Sequence, residues 1–276
     1  GTHVRVETRG IRHFCLTDMT LIQAARADRF TAVYLNDRQL AEAILMQKQI
    51  FDSCEGIFVD SAWAKGSIVG DYGIASEKVC VSGLGASIRP ISNEHVRERY
   101  NILFVGRDWE RKGGDILVKA FHEVRKHVKD ATLTIIGCSP PVSDPNIKVL
   151  GRLNKDTVSD YRVIRQAFCK ASVFCVPSLF EPFGICFLES QLYGVPVVTF
   201  EGQGRGDAVV DGVTGMLIKE KSAEALSQAL IKLLVDTELA RQMGSAGRDF
   251  VMNNYTWDHV AERILNRMED RSEVPL

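Results

Sequence analysis

Val173-Phe-Cys-Val176, continued by Pro177-Ser-Leu-Phe-Glu181-Pro-Phe-Gly-Ile-Cys-Phe-Leu-Glu189-Ser190, is the stretch whose reading decides the fold. A short apolar run, a Pro-Phe-Gly turn and a second apolar run read as strand, glycine turn and helix, with Glu181 and Glu189 bracketing the turn. A parallel sheet delivers ligands to the carboxyl ends of its strands, and a helix that opens there offers unpaired backbone N–H groups to anionic oxygens. The spacing puts Glu189 about two turns into the helix, and helical side chains lean back toward the helix start, so both carboxylates can face one ligand. An acid pair beside an anion site suits a polyhydroxylated phosphate ester.

Outward from this stretch, strands alternate with helices. The runs 101–105, 131–136, 173–176 and 195–199 are apolar, partly β-branched and continuous rather than alternating, as expected for parallel strands covered on both faces. Between them lie helical patterns at 116–128 and 160–170, and three more follow at 223–234, 238–252 and from Trp257, the last behind Thr256 as a cap. Such spacing builds right-handed βαβ units and predicts an α/β fold, a Rossmann-like doubly wound parallel sheet with helices on both faces. The first hundred residues are expected to hold a helix at 39–54, a strand at 56–59, a helix near 62–72 and a strand at 78–81. The apolar pattern breaks between Arg89 and Tyr100, where a domain boundary is expected.

Composition is ordinary for a globular chain: 276 residues, 45% hydrophobic and 25% charged. A net charge of −1 supplies no basic field for nucleic acid and no cationic stripe for anionic lipid. The seven cysteines are odd in number, form no C-x-x-C pair and sit partly inside apolar runs, which reads as buried reduced thiols in a reducing compartment. No apolar run approaches the ~20 residues of a membrane-spanning helix. The expectation is a cytoplasmic protein, with peripheral membrane contact left open.

A second constellation is Gly106-Arg-Asp-Trp-Glu-Arg-Lys-Gly-Gly114. It follows the strand ending at Val105 and precedes a helix, so Arg107 and Lys112 can converge on a diphosphate from a strand-to-helix loop, Arg as a bidentate clamp and Lys as a point charge. Arg111 is a third cation without an assigned role. No Asp-x-Asp and no His/Cys/Asp cluster has metal-ligand spacing, so Arg107, Lys112 and the helix start at Phe183, Gly184 and Ile185 would have to neutralise a leaving diphosphate in place of a metal. The loop 202–208 signals a close-approach turn in which Arg205 is a candidate further phosphate ligand, and Asp211 to Gly215 reads as a tight turn before a strand. His13 with Asp18 has no accompanying nucleophile and reads as structural, and Trp63 and Trp257 are expected to pack.

With Phe58-Val-Asp-Ser-Ala-Trp-Ala-Lys65 and Asp211-Gly-Val-Thr-Gly-Met-Leu217, these two blocks make four in a fixed order. Together they resemble retaining glycosyltransferases of the GT-B fold, family 4 type (glycosyl transferases group 1), whose Glu-x7-Glu signature matches Glu181 and Glu189. The resemblance runs from near residue 50 to the C-terminal helix. It implies a GT-B C-terminal donor domain at 98–258, preceded at 1–97 by the latter part of an N-terminal, acceptor-side Rossmann-like domain, with 259–276 a C-terminal helix and tail that can pack back on the N-terminal part. On that reading the chain is an N-terminally truncated enzyme and can be inactive alone.

The resemblance further implies that Glu189 accepts hydrogen bonds from ribose hydroxyls and that Glu181 binds or polarises the transferred sugar. Arg107 and Lys112 would contact the donor diphosphate, and Gly106, Phe183, Gly184 and Ile185 would let backbone approach it. The reaction implied is metal-independent, retaining, front-face transfer from a UDP-, GDP- or ADP-sugar to an unknown carbohydrate, lipid-linked or small-molecule acceptor, without a cofactor and without nucleic acid. Two alternatives stay open on the same fold: a non-catalytic nucleotide-sugar-binding protein and a sugar-nucleotide epimerase. A two-carboxylate glycosidase is disfavoured, because a hydrolase of neutral glycosides needs no diphosphate loop.

Overall fold

The structure is a computed structural model and describes residues 11–27, 34–88 and 97–269. The chain divides into two compact units, one formed by 1–84 with 257–276 and the other by 85–256. Most of the expected boundary segment, 89–96, lies outside the described residues.

The first unit opens with strand β1 (Phe14–Thr17), helix α1 (Leu21–Arg26), helix α2 (Asp37–Ser53), strand β2 (Gly56–Val59), helix α3 (Ala62–Gly70) and strand β3 (Val79–Val81). Capping boxes at Thr20/Gln23 and Asn36/Gln39 start α1 and α2, and the Ser61 hydroxyl accepts the Ala64 N–H to start α3. The strands form a parallel sheet in the order β1-β2-β3, with Thr17 level with Val59 and Val59 level with Val81. Phe51, Ile57, Val59, Ala64, Ile68 and Val79 fill the core beside this sheet. Neither β1 nor α1 was expected: β1 is four residues long and only two of them are buried, so its apolar signal is weak.

The second unit holds strand β4 (Asn101–Val105), helix α4 (Gly114–His127), strands β5 (Thr132–Ile136) and β6 (Ile147–Val149), helix α5 (Val158–Lys170), strand β7 (Val173–Cys175), helix α6 (Ile185–Leu192), strand β8 (Val197–Phe200), the short helix α7 (Arg205–Ala208), strand β9 (Gly215–Ile218) and helices α8 (Ala223–Val235) and α9 (Thr237–Asn254). Six parallel strands run β6-β5-β4-β7-β8-β9. Every residue of the central β7 and β8 is buried, which is why their sequences show no alternation, whereas the edge strand β6 is only half-buried and escaped the sequence pattern. Helix α4 turns Leu117, Ala120, Phe121 and Val124 inward, the burial of the Leu, Phe and Val side chains worth about 1.5–3 kcal/mol each, and packs on α8. Helix α6 packs on α9 so closely that a Cβ on Gly244 would sit 2.0 Å from the Gly194 carbonyl oxygen.

The last helix, α10 (Trp257–Glu269), belongs to the first unit, packs on β2 and donates from Arg263 Nε to the Ser82 carbonyl at 2.9 Å. Trp257, expected to pack, is instead 44% exposed at the first position of the helix, whereas Val260, one turn further along, is buried. No described helix is long and apolar enough to cross a membrane.

Strand order places the functional loops. From β4 the chain steps outward through β5 to β6, then returns to β7 on the other side of β4 and steps outward through β8 to β9. The carboxyl ends of β4 and β7 therefore flank the point where the order reverses, the usual binding crevice of an open α/β sheet. The double-glutamate segment follows one of these strands and the Arg/Lys loop follows the other.

In the first unit, Asp60 directly follows β2, is 97% buried by its 3% exposure, and has an Oδ1 with no hydrogen-bond partner. Burial, and secondarily the charge of Asp18, push its carboxyl up to about 7. The folded chain thus holds a proton that an unfolded aspartate releases near about pH 4. Folding stability is unpenalised below that pH, falls as pH rises toward about 7, and is flat beyond. Thermal melts across this range should show the native chain losing stability with rising pH relative to the Asp60→Asn variant. Parallel melting curves for the two proteins would contradict it.

Candidate active site

Backbone contact between the two loops sets the site. Gly113 starts α4 with φ +72°, and a Cβ there would lie 2.1 Å from the Pro177 carbonyl oxygen, so only glycine admits this approach. Leu179 N–H donates to the Arg111 carbonyl at 2.9 Å, and Arg111 guanidinium NH1 donates to the Phe180 carbonyl at 2.9 Å. The loops after β4 and β7 are thereby stitched to each other. On the other side, Gly137 (φ +102°) lets the end of β5 pass the Gly106 carbonyl.

Lys112 and Glu181 meet across this seam. Both are buried, the Lys112 Nζ donates to Glu181 Oε2, and the same oxygen accepts from Ser178 Oγ at 3.2 Å. Arg111, which had no assigned role, brings NH1 to 3.9 Å from Glu181 Oε2 while its Nε pairs with Asp108. Gly106 makes room for this arrangement, since a Cβ there would crowd Lys112 Cγ at 3.0 Å. Arg107 is exposed and pairs with neither glutamate.

Glu189 lies one turn into α6 rather than two, because the helix begins at Ile185. It is buried, and its Oε1 accepts from Ser87 Oγ and Lys155 Nζ, each at 2.6 Å. Neither Ser87 nor Lys155 was singled out from the sequence: both are isolated polar residues far along the chain, and only the fold carries them to α6. Cys186 reports the convergence of the two pairs. Burial pushes its thiol up to about 12, and the charges of Lys112, Glu181, Glu189 and Lys155 all act on it.

Each glutamate commits one oxygen to its ammonium partner. Glu181 Oε1 and Glu189 Oε2 accept no hydrogen bond from a described residue, yet they are not among the atoms sealed from solvent. Two charged acceptors thus stay open beside the start of α6. That helix has Gly184 as its N-cap, at φ +98°, with no side chain capping it. Its first N–H groups, at Ile185 and Cys186, have no intrahelical partner and carry the positive end of the helix dipole. By contrast α1, α2, α3, α8 and α9 are all capped by side chains.

Two expected ligands take other parts. Arg205 is fully buried, donating from Nε to the Gly202 carbonyl, from NH1 to the Ser178 carbonyl, and from NH2 to the Glu201 carbonyl and Gln203 Oε1. Burial pulls its guanidinium down to about 10, with Glu181 opposing. These bonds tie the loop after β7 to the loop after β8, so Arg205 braces both. The Phe183 ring is likewise buried, against Tyr255 at 5.8 Å, so only its backbone faces the turn.

The family model for glycosyl transferases group 1 matches residues 88–250, which span β4 to α9 and both charged pairs. The chain belongs to this family. It is 30% identical over 208 residues to the GDP-mannose-dependent alpha-(1-6)-phosphatidylinositol monomannoside mannosyltransferase of Mycolicibacterium smegmatis, a match covering 67% of this chain and 53% of that enzyme. The chain spans about half the length of the curated relatives it matches. Its fold resembles sucrose-phosphate synthase from Thermosynechococcus elongatus (TM-score 0.72, 18% identity, 94% of this chain and 68% of that one). It also resembles the Anabaena protein Alr3699/HepE crystallised with UDP and glucose (TM-score 0.71, 16% identity, 93% and 71%). The expected α/β fold of GT-B type, parallel sheets covered by helices, is what the chain adopts.

Removing one member of a buried ion pair leaves the other charge stranded, at a cost of about 3–5 kcal/mol. Lys112→Met is therefore expected to lower the melting temperature of this family member sharply, and Lys112→Met with Glu181→Leu to recover most of the loss. Additive losses in a double-mutant cycle would show that the pair is not coupled.

Proposed function

We propose that this chain is the donor-binding part of a retaining glycosyltransferase that moves a sugar from a nucleotide-diphosphate sugar to an acceptor hydroxyl. The observation that carries the reading is the convergence of Lys112–Glu181 and Lys155–Glu189 on one uncapped helix start at the strand-order reversal. A diphosphate suits this place because the α6 N–H groups and the Lys112 ammonium offer positive charge held in position before the ligand arrives. Lys112 exchanges part of its contact with Glu181 for phosphate oxygens, and Arg107, exposed in the same loop, closes on them from the solvent side. This set of cations is what would let the transfer proceed without a divalent metal.

The free carboxylate oxygens complete the donor site. Glu189 Oε2 accepts ribose hydroxyls, while Ser87 and Lys155 hold its other oxygen and so fix the carboxylate plane. Glu181 Oε1 accepts a hydroxyl of the transferred sugar. Because Glu181 is anchored by Lys112 and Ser178, it acts as a positioning acceptor, and the leaving phosphate takes the acceptor proton in a front-face displacement. The second unit is then the donor domain and the first unit the acceptor side. A mannose donor carried on GDP is the first to test, since the Mycolicibacterium relative is named as GDP-mannose-dependent.

Calorimetric titration with GDP, UDP and ADP, with and without Mg²⁺, tests the reading. One nucleotide is expected to bind equally well without metal. Lys112→Ala and Glu189→Ala are each expected to weaken it by about tenfold or more, the scale of a lost charge-assisted hydrogen bond. Binding of none of the three, or binding indifferent to both substitutions, would refute a donor site here. Release of free nucleotide together with a stereochemically altered sugar, in the absence of any acceptor, would favour the epimerase alternative.

A further inference from the structure

The amino edge of the second unit's sheet holds a cavity of about 420 Å³, the size of a small organic ligand. Tyr100, Ser172 and Pro196 line it just before β4, β7 and β8, and helices α8 and α9 supply Leu233, Leu234 and Arg248. It therefore lies at the opposite end of these strands from the Arg/Lys loop and the double-glutamate segment. An open α/β sheet receives its usual ligand at the carboxyl edge, so a charged cavity at the amino edge has no part in the site already described.

Charge decides what this cavity takes. Four arginines, Arg97, Arg99, Arg241 and Arg248, line it with one carboxylate, Glu98. Glu98 pairs with Lys170 and Arg241 with Glu238, each at 2.7 Å, and Arg248 is engaged as well, so these charges are met from within the chain. Arg97 and Arg99 meet no carboxylate among the described residues. Arg97 gives NH1 to the Ala171 carbonyl and NH2 to the carbonyls of Tyr193 and Gly194, which leaves its Nε unspent. Arg99 is exposed, makes no hydrogen bond or ion pair with a described residue, and lays its guanidinium over the Tyr100 ring at 5.2 Å. A guanidinium resting on an aromatic face keeps its N–H edge free for a partner in its own plane. Tyr100 holds that ring in place from φ +63°, a backbone conformation that costs a tyrosine stability and that glycine would adopt freely.

Two guanidiniums without a counter-ion call for an anion. With the open N–H groups of Arg97 and Arg99, the donors outnumber what the two oxygens of a carboxylate accept, whereas the three terminal oxygens of a phosphate monoester match them. Leu233, Leu234 and Pro196 add an apolar wall that a bare inorganic ion would leave uncovered. We propose that this cavity binds a soluble phosphate monoester with a small apolar body, its phosphate held by Arg99 and Arg97 Nε and its carbon part against Leu233, Leu234 and Pro196. The cavity is too small for the paired chains of a phospholipid. This site goes beyond the glycosyltransferase reading and does not rest on it.

Calorimetric titration of the full chain with phenyl phosphate, benzoate and inorganic phosphate tests the site. Phenyl phosphate is expected to bind about tenfold or more tighter than either of the others. Arg99→Gln, at an exposed position where folding is not at stake, should weaken it about tenfold or more, as for loss of a charge-assisted hydrogen bond. Tyr100→Gly removes the ring beneath Arg99 while relieving the positive φ, and it too should weaken the probe. Arg107→Gln, in the loop after β4, should leave phenyl phosphate binding unchanged, which separates this cavity from the start of α6. Failure of phenyl phosphate to bind, benzoate binding as tightly, or affinity unchanged in Arg99→Gln overturns the proposal. So does Arg99-dependent co-sedimentation with phosphatidic acid vesicles by a chain that ignores phenyl phosphate. Phenyl phosphate binding through Arg99 without binding of GDP, UDP or ADP sinks the donor assignment alone, and the reverse sinks this site alone.

Discussion

Everything at the candidate active site depends on the reversal of strand order between β4 and β7. Two loops that are about seventy residues apart in sequence leave adjacent parallel strands in the same direction, and no side chain intervenes where Gly113 meets the Pro177 carbonyl. That backbone contact lets Lys112 reach Glu181, and it lets Arg111 bond across to Phe180. Had the order continued outward from β4 in one direction only, β7 would not flank it, and the two charged blocks would stand on separate parts of the sheet.

Charge inside this unit is arranged so that each buried ion has a partner while a binding capability is kept open. Glu181 and Glu189 each give one oxygen to a lysine and leave the other without a described donor. Arg205 is buried differently: it gives Nε, NH1 and NH2 to oxygens of the loops after β7 and β8 and so braces them. The start of α6 is left uncapped, although five other helices carry side-chain caps. Unspent acceptors beside unspent donors are what an ester of phosphate and sugar requires.

Legibility in the sequence tracked burial. Strands β4, β7 and β8 are central and wholly or almost wholly buried, so their apolar runs identify them directly. The half-buried edge strand β6 and the short β1 carry too few inward residues to stand out. Helix starts were read to within a few residues, but the beginning of α6 at Ile185 shortens the distance to Glu189 from two turns to one. Trp257 fared worse, because it stands at the first position of its helix, where the packing of the later turns does not cover it.

From the sequence alone came the succession of strands and helices, the glycine turns and the spacing of Glu181 and Glu189, because local pattern and backbone preference act over a few residues. Membership of the family was visible in the order of four such blocks. Which charges meet was decided by the tertiary structure. Ser87 and Lys155 on Glu189, Arg111 near Glu181, the sealing of Arg205 and the orphaned oxygen of Asp60 all arise from contacts between distant segments. The physical reason is that an ionisable side chain has no fixed role until burial sets how much its charge costs and geometry sets which partner offsets it.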